Sequence, residues 1–205
     1  MPIECDPDKI RTSHAFLDEE FIAEESLVTI VPEFTMHEPL RFISNEFGPF
    51  RKRSEVQVPL WVALYLERHG KCSIQSPDWL SLDAIRAKIE EERALGPSQF
   101  AQLPNEYMFQ VALLLLNRQY LTDQSAYLGG PQNRHAIEVA LQELQLIRRT
   151  KITEGLKRID ASPFTIVDVT NLSSVEREII RKQTLGILEQ ISSLWQLRDV
   201  YAPRE

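Results

Sequence analysis

The chain has 205 residues, with 23 Lys+Arg against 30 Asp+Glu and a net charge of −7. That acidity argues against tight non-specific binding to nucleic acid, where neutralising many phosphates supplies most of the affinity. Two cysteines, Cys5 and Cys72, are too few for a disulfide framework and point to a reducing compartment.

The first twelve residues are polar, carry two prolines and are expected to be mobile. They contain no apolar h-region, so no secretory signal is expected. A short helix is predicted from Ser13 to Glu25, with Phe16, Leu17, Phe21 and Ile22 on its apolar side. The period then changes. Ser26 to Pro32 is rich in β-branched residues and reads as a strand; Leu40 to Ile43 is a second, and Glu55 to Val58 a third. Phe47-Gly48-Pro49-Phe50 is a turn, and Arg51-Lys52-Arg53 falls in the loop before the third strand. Residues 13–57 therefore form a small β-rich module.

From Pro59 the pattern is helical. Proline suits the first turn of a helix, where its missing N–H has no intrahelical partner. Leu60, Trp61, Leu64 and Tyr65 supply an apolar face, and Gly70 fits the left-handed residue after the helix end. Lys71 to Ile74 is short and extended. Ser76-Pro77-Asp78-Trp79 has the order of a cap and a short helical turn. Ser81 caps a helix with Leu82, Ile85 and Ile89 inward, and Glu90-Glu91-Glu92 on its tail reads as a solvated face. Pro104 opens a helix to about Tyr120, with Tyr107, Met108, Val111, Leu114 and Leu115 inward. Val111 to Leu116, the longest apolar run, is too short to cross a bilayer. Leu121 to Asn133, with Gly129-Gly130-Pro131, reads as a loop.

The stretch from His135 to Ile159 is the most telling. At 100° per residue Ile137, Ala140, Leu141, Leu144, Ile152 and Ile159 share one side. Val139 and Leu146, seven residues apart, sit on the opposite side, so the helix asks for a second dry patch where an outer helix has one. Arg148 falls within the main stripe, where an unpaired charge costs several kcal/mol, roughly, and must snorkel or be paired. The helix is either the centre of a bundle formed by its own chain or one shared with a partner chain. After a break at Pro163, where Ile166 to Val169 is briefly extended, Ser173-Ser174-Val175-Glu176 matches a capping box. The last helix then runs to about Leu197, with Ile180, Ile187, Leu188, Ile191, Leu194 and Trp195 in one stripe and Val175, Ile179 and Leu197 on another side.

Catalytic chemistry is thin. His14, His37, His69 and His135 are scattered without metal-ligand spacing, and no glycine-rich phosphate loop or nucleophile elbow occurs. Cys72 lies beside Lys71 but has no oriented base, so a small buried cysteine is the better reading than a nucleophile. Arg148, Arg149, Lys151, Lys157 and Arg158 concentrate five cations, read either as charge balance or as a patch for nucleic acid or an acidic protein. No cofactor, metal or catalytic residue is expected.

Several motifs, in order, resemble the Psf-two subunits of the GINS family. They are Phe21-Ile-Ala-Glu-Glu with Leu27-Val-Thr-Ile-Val-Pro, the Phe47–Phe50 turn, and Val58-Pro59-Leu60-Trp61-Val62-Ala63. Lys71-Cys72, Pro77-Asp78-Trp79-Leu80, Ile147-Arg148-Arg149-Thr150-Lys151 with Gly155-Leu156-Lys157, and Leu172 to Glu176 complete the set, which spans Phe21 to Trp195. The resemblance implies a mainly α chain, a small β-rich domain at 13–57 followed by a helical domain at 58–198, with a tail at 199–205. It implies a non-catalytic scaffold in a four-chain assembly with Sld-five, Psf-one and Psf-three. That assembly would join the MCM motor and the Cdc forty-five protein in the nucleus to form the replicative DNA helicase. Val139, Leu146, Arg148, Lys151, Val175 and Ile179 are the expected partner-interface residues; Pro59, Trp61, Pro77 and Trp79 are assigned to the fold. The isolated chain is expected to bind DNA weakly, if at all. The competing expectation is a free-standing acidic adaptor that uses the Arg148–Arg158 cluster.

Overall fold

The computed structural model describes residues 19–43, 45–116, 127–157 and 169–201. The fold is mainly α with a small antiparallel β region towards the N-terminus. A helical turn at 19–23 leads into β1 (Leu27–Pro32). Burial alternates along β1, as a strand with one dry face requires, so Val28, Ile30 and Pro32 point inward. β2 (Leu40–Arg41) and β3 (Glu46–Phe47) form a two-stranded ladder, and β4 (Val56–Pro59) returns to pair with β1, Leu27 opposite Pro59 and Ile30 opposite Val56.

α1 (Leu60–Arg68) follows β4 without a loop, and Pro59 is both the last strand residue and the helix N-cap. The helix ends where Gly70 takes φ +63°. The Lys71 N–H then donates to the Leu66 carbonyl and the Gly70 N–H to that of Glu67, which satisfies two terminal acceptors. This turn brings β5 (Cys72–Ile74) to the free edge of β1, with Ile30 opposite Ile74 and Pro32 opposite Cys72, so the sheet order is β4-β1-β5. The sheet thus takes its third strand from beyond the first helix, and one apolar core runs from Val28 and Ile30 through Leu60 to Ile137 and Leu144.

A single 3₁₀ turn (Asp78–Leu80) precedes α2 (Leu82–Ala94), whose Ala84 N–H donates to the Ser81 hydroxyl at 3.3 Å, the expected cap. α3 (Met108–Leu116) buries Met108, Val111, Leu114 and Leu115, and starts four residues after Pro104. A 3₁₀ turn (Tyr127–Gly129) leads into α4 (Pro131–Leu156). The proline that marked a loop is the first helical residue, so Pro131 to Asn133 are helix rather than loop. α5 (Ser174–Tyr201) ends the described chain and takes in the first three residues of the expected tail. Phe16, Leu17, Ile159, Arg158, His14 and Cys5 lie outside the described residues.

Two expected faces turn out differently. In α1 the inward residues are Leu60, Val62, Ala63 and Leu64, while Trp61 and Tyr65 are exposed. The Cys72 thiol of β5 donates to the Ala63 carbonyl at 3.8 Å, so α1 lies against β5 along the side of Ala63. Trp61 and Tyr65, two residues to either side of it, fall away from that contact. In the turn at 19–23 only Ala23 is buried, and Phe21 and Ile22 face outward. Pro59 is buried, and Pro77 and Trp79 are half-buried, Trp79 packed against the main core.

Candidate functional site

The apolar stripe of α4 is buried at Ile137, Ala140, Leu141, Leu144 and Ile152. Arg148 interrupts it between the main core, which ends at Leu144, and a smaller cluster of Ile152, Leu172 and Ile180. Its side chain is wholly buried, and all five guanidinium hydrogens have acceptors. Nε and Nη2 donate to the two oxygens of Glu176 at 2.8 and 2.9 Å, a bidentate pair. Nη1 donates to Glu92 Oε2 at 2.8 Å and to the Ala101 carbonyl at 3.2 Å, and Nη2 also reaches the Asn171 carbonyl at 2.7 Å. Phe100 lies under the charge, its ring centre 5.1 Å away.

Glu92 is as buried as the arginine. Its second oxygen accepts from Lys151 Nζ at 2.8 Å, and the ammonium also donates to the carbonyls of Glu92 and Gln99. The two cations and two anions balance. Burial works against the charged form of Arg148, but the hydrogen bonds and charge of Glu176 and the charge of Glu92 outweigh it and hold the group above its ordinary range. The four side chains therefore form an ionic clasp that ties α2, the 95–107 connection, α4 and the start of α5 together.

Glu176 serves twice. Its Oε2 also accepts the Ser173 N–H at 2.8 Å, while the Glu176 N–H donates to the Ser173 hydroxyl at 3.4 Å, the reciprocal pair of a capping box. The same helix end is held by the Ser174 N–H, which donates to the Glu106 carbonyl at 3.1 Å, and by the Arg177–Glu106 ion pair.

Of the expected partner-interface residues, Arg148 is wholly buried and Lys151 partly buried, and both are ion-paired with this chain's own glutamates. Glu92 is corrected from a solvated acid. Among the described residues the five-cation cluster is split: Arg148 and Lys151 are inside the clasp, Lys157 is paired with Glu154 on the surface and Arg149 is exposed, while Arg158 lies outside the described residues. Cys72 is buried, and burial first, then the charge of Glu67, pushes its thiol up to about 12, so it carries no thiolate at neutral pH.

The rear of α4 is different. Val139 is 49% exposed and Leu146 is 66% exposed. Gln142, three residues from one and four from the other, lies between them on the helix surface. It also lines a groove of about 210 Å³ whose α3 wall is Phe109, Leu113 and Leu116, and Leu113 is exposed as well. On α5, Val175 and Ile179 are half-buried and Leu185 is exposed. A second, wider groove of about 420 Å³ separates the end of α4 at Thr153 and Leu156 from α5 at Gln183, Gly186 and Ile187. Wet apolar faces with grooves between them are surfaces that another polypeptide can cover.

Comparison with known proteins fits this arrangement. The PSF2 N-terminal domain matches residues 17–75, the turn, sheet and first helix. A Drosophila melanogaster protein named "Probable DNA replication complex GINS protein PSF2" is 38% identical over 162 residues, 79% of this chain and 74% of the relative. A Debaryomyces hansenii protein named "DNA replication complex GINS protein PSF2" is 29% identical over 174 residues, 85% of this chain and 78% of its own. The Homo sapiens protein of the same name is 35% identical over 98 residues, 48% of this chain and 51% of its own. With a matching N-terminal domain and a fly relative aligned along most of both chains, this chain belongs to the PSF2 family of GINS proteins.

Proposed function

We propose that this chain is a non-catalytic structural subunit of the GINS DNA replication complex, assembled with Sld-five, Psf-one and Psf-three. In this reading the assembly works in the nucleus, where it joins the MCM motor and the Cdc forty-five protein in the replicative DNA helicase. ATP hydrolysis belongs to the motor, and this chain supplies shape and contact surface. One observation carries the reading: Val139 and Leu146 stand in water on the helix around which the core is built. Burying a Val or Leu side chain is worth about 1.5–3 kcal/mol relative to full exposure. The part of that gain still open at 49% and 66% exposure is available only when another chain covers them. Obligate interfaces of this kind resemble a core cut in two. The half-buried Val175 and Ile179 at the start of α5 extend the proposed interface.

The test is expression of the chain alone against co-expression with the three sister subunits. The expected result is aggregation alone and a stable 1:1:1:1 species together. A monodisperse monomer that ignores its sisters would refute it.

A further inference from the structure

We propose that Phe42, Trp61 and Tyr65, bordered by Glu20, Glu24 and Glu25, form a second docking face whose occupant is a basic amphipathic polypeptide segment. The face lies on the β-rich side of the molecule, on elements other than α3, α4 and α5, and does not depend on the assembly reading above.

Its aromatic part follows from how α1 sits. Because α1 buries Leu60, Ala63 and Leu64, residues 61 and 65 are one turn apart on the outer side, Trp61 39% and Tyr65 62% exposed. Phe42 meets Trp61 edge to face, with ring centres 5.0 Å apart at 77°, and also contacts Phe47. Backbone bonds fix the neighbouring segment against this edge. The Trp61 N–H donates to the Glu24 carbonyl at 3.1 Å and the Leu60 N–H to that of Ser26 at 2.9 Å. Leu27, opposite Pro59 in the ladder, is also exposed. Large contiguous exposed aromatics of this kind mark contact sites, and Trp and Tyr dominate the energetics of such sites.

The charge around the face selects the occupant. Glu20 and Glu25 are exposed and Glu24 is half-buried, and none of the three is in an ion pair with another described residue. Burial, and then the charge of Glu20, hold the Glu24 carboxyl above its ordinary range, so a cation brought here relieves an existing cost. Carboxylates at this edge repel a phosphate backbone or an anionic membrane surface. They attract Lys and Arg, which also stack on exposed aromatic rings such as Trp61 and the side of Tyr65 away from His69, whose ring centre lies 4.4 Å from that of Tyr65. Arg68, seven residues beyond Trp61, gives the other end of the face the opposite sign. The segment therefore lies with its basic end over Glu20–Glu25.

The probe is a labelled amphipathic helical peptide of Leu and Lys, with a Leu/Gln peptide as its uncharged counterpart. Its binding to the full-length chain, fused to an inert soluble carrier, is followed by fluorescence anisotropy in 0.15 M salt, about the physiological ionic strength. Trp61→Ser with Tyr65→Ser should weaken binding about tenfold or more, and Glu20→Gln with Glu24→Gln and Glu25→Gln about threefold to tenfold. Glu90→Gln with Glu91→Gln, on α2, should change nothing. If the Trp61 variant misfolds, Tyr65→Ser alone reads the same face through a loss of about threefold. Equal losses from the α2 pair, equal binding of the Leu/Gln peptide, or no binding to the wild-type chain would each overturn the proposal.

Discussion

The two sides of α4 invert the usual order of a globular helix. The inner side carries a full positive charge, Arg148, at zero exposure, and the outer side carries Val139 and Leu146 in water. Inside, the charge is tolerated because five donors meet five acceptors and two carboxylates neutralise two cations. Outside, the proposed reading has other chains of the complex cover the exposed Val139 and Leu146. Polarity alone does not tell inside from outside. What does is whether each side chain's partner is in this chain or in another.

That contrast can be broken from the outer side first. Val139→Asp with Leu146→Asp should abolish co-purification with the sister subunits while the helical circular dichroism of the chain stays unchanged. The inner side comes next: Arg148→Met leaves the buried Glu176 without its cation and Glu92 with Lys151 alone, and should lower stability by about 3–5 kcal/mol in urea unfolding. Ser173→Ala removes one half of the capping box and should cost about 0.5–2 kcal/mol in the same measurement. Arg149→Glu reverses the charge of the exposed neighbour of Arg148 and should move stability by no more than about 0.5 kcal/mol. An Arg149 effect as large as that of Arg148 would erase the distinction between the two cations.

Much of the fold was legible because its signals are local and periodic. The alternation of β1, the cap at Ser81, Gly70 and the box at Ser173–Glu176 each depend on a few neighbours. The stripe of α4 could be drawn through Arg148, and the requirement that this arginine be paired follows from elementary electrostatics. Its partners were not legible, since Glu92 is 56 positions away and sits in a run of three glutamates that looks like solvent-facing charge. A signal was present: Glu92 continues the spacing of Ile85 and Ile89, just as Arg148 continues that of Leu141 and Leu144. Two charges of opposite sign, each on an apolar stripe, were a pair waiting to be matched. Trp61 and Tyr65 were misplaced for another reason. Apolar size alone marks Trp61 and Tyr65 for the inner face, yet Leu60, Val62, Ala63 and Leu64 fill that face and the two aromatics fall outside it.

Glu176 links the first turn of α5 to a guanidinium on another helix, and among the described side chains of α5 only Glu176 and Ile180 are buried. Twenty-eight residues of helix rise about 42 Å. A rod of that length anchored near one end is a lever: a tilt of about 10° at the anchor sweeps its tip through about 7 Å. A four-side-chain knot in the interior therefore sets the aim of a surface far from it, and a small loosening there would be felt as misalignment at the distant end.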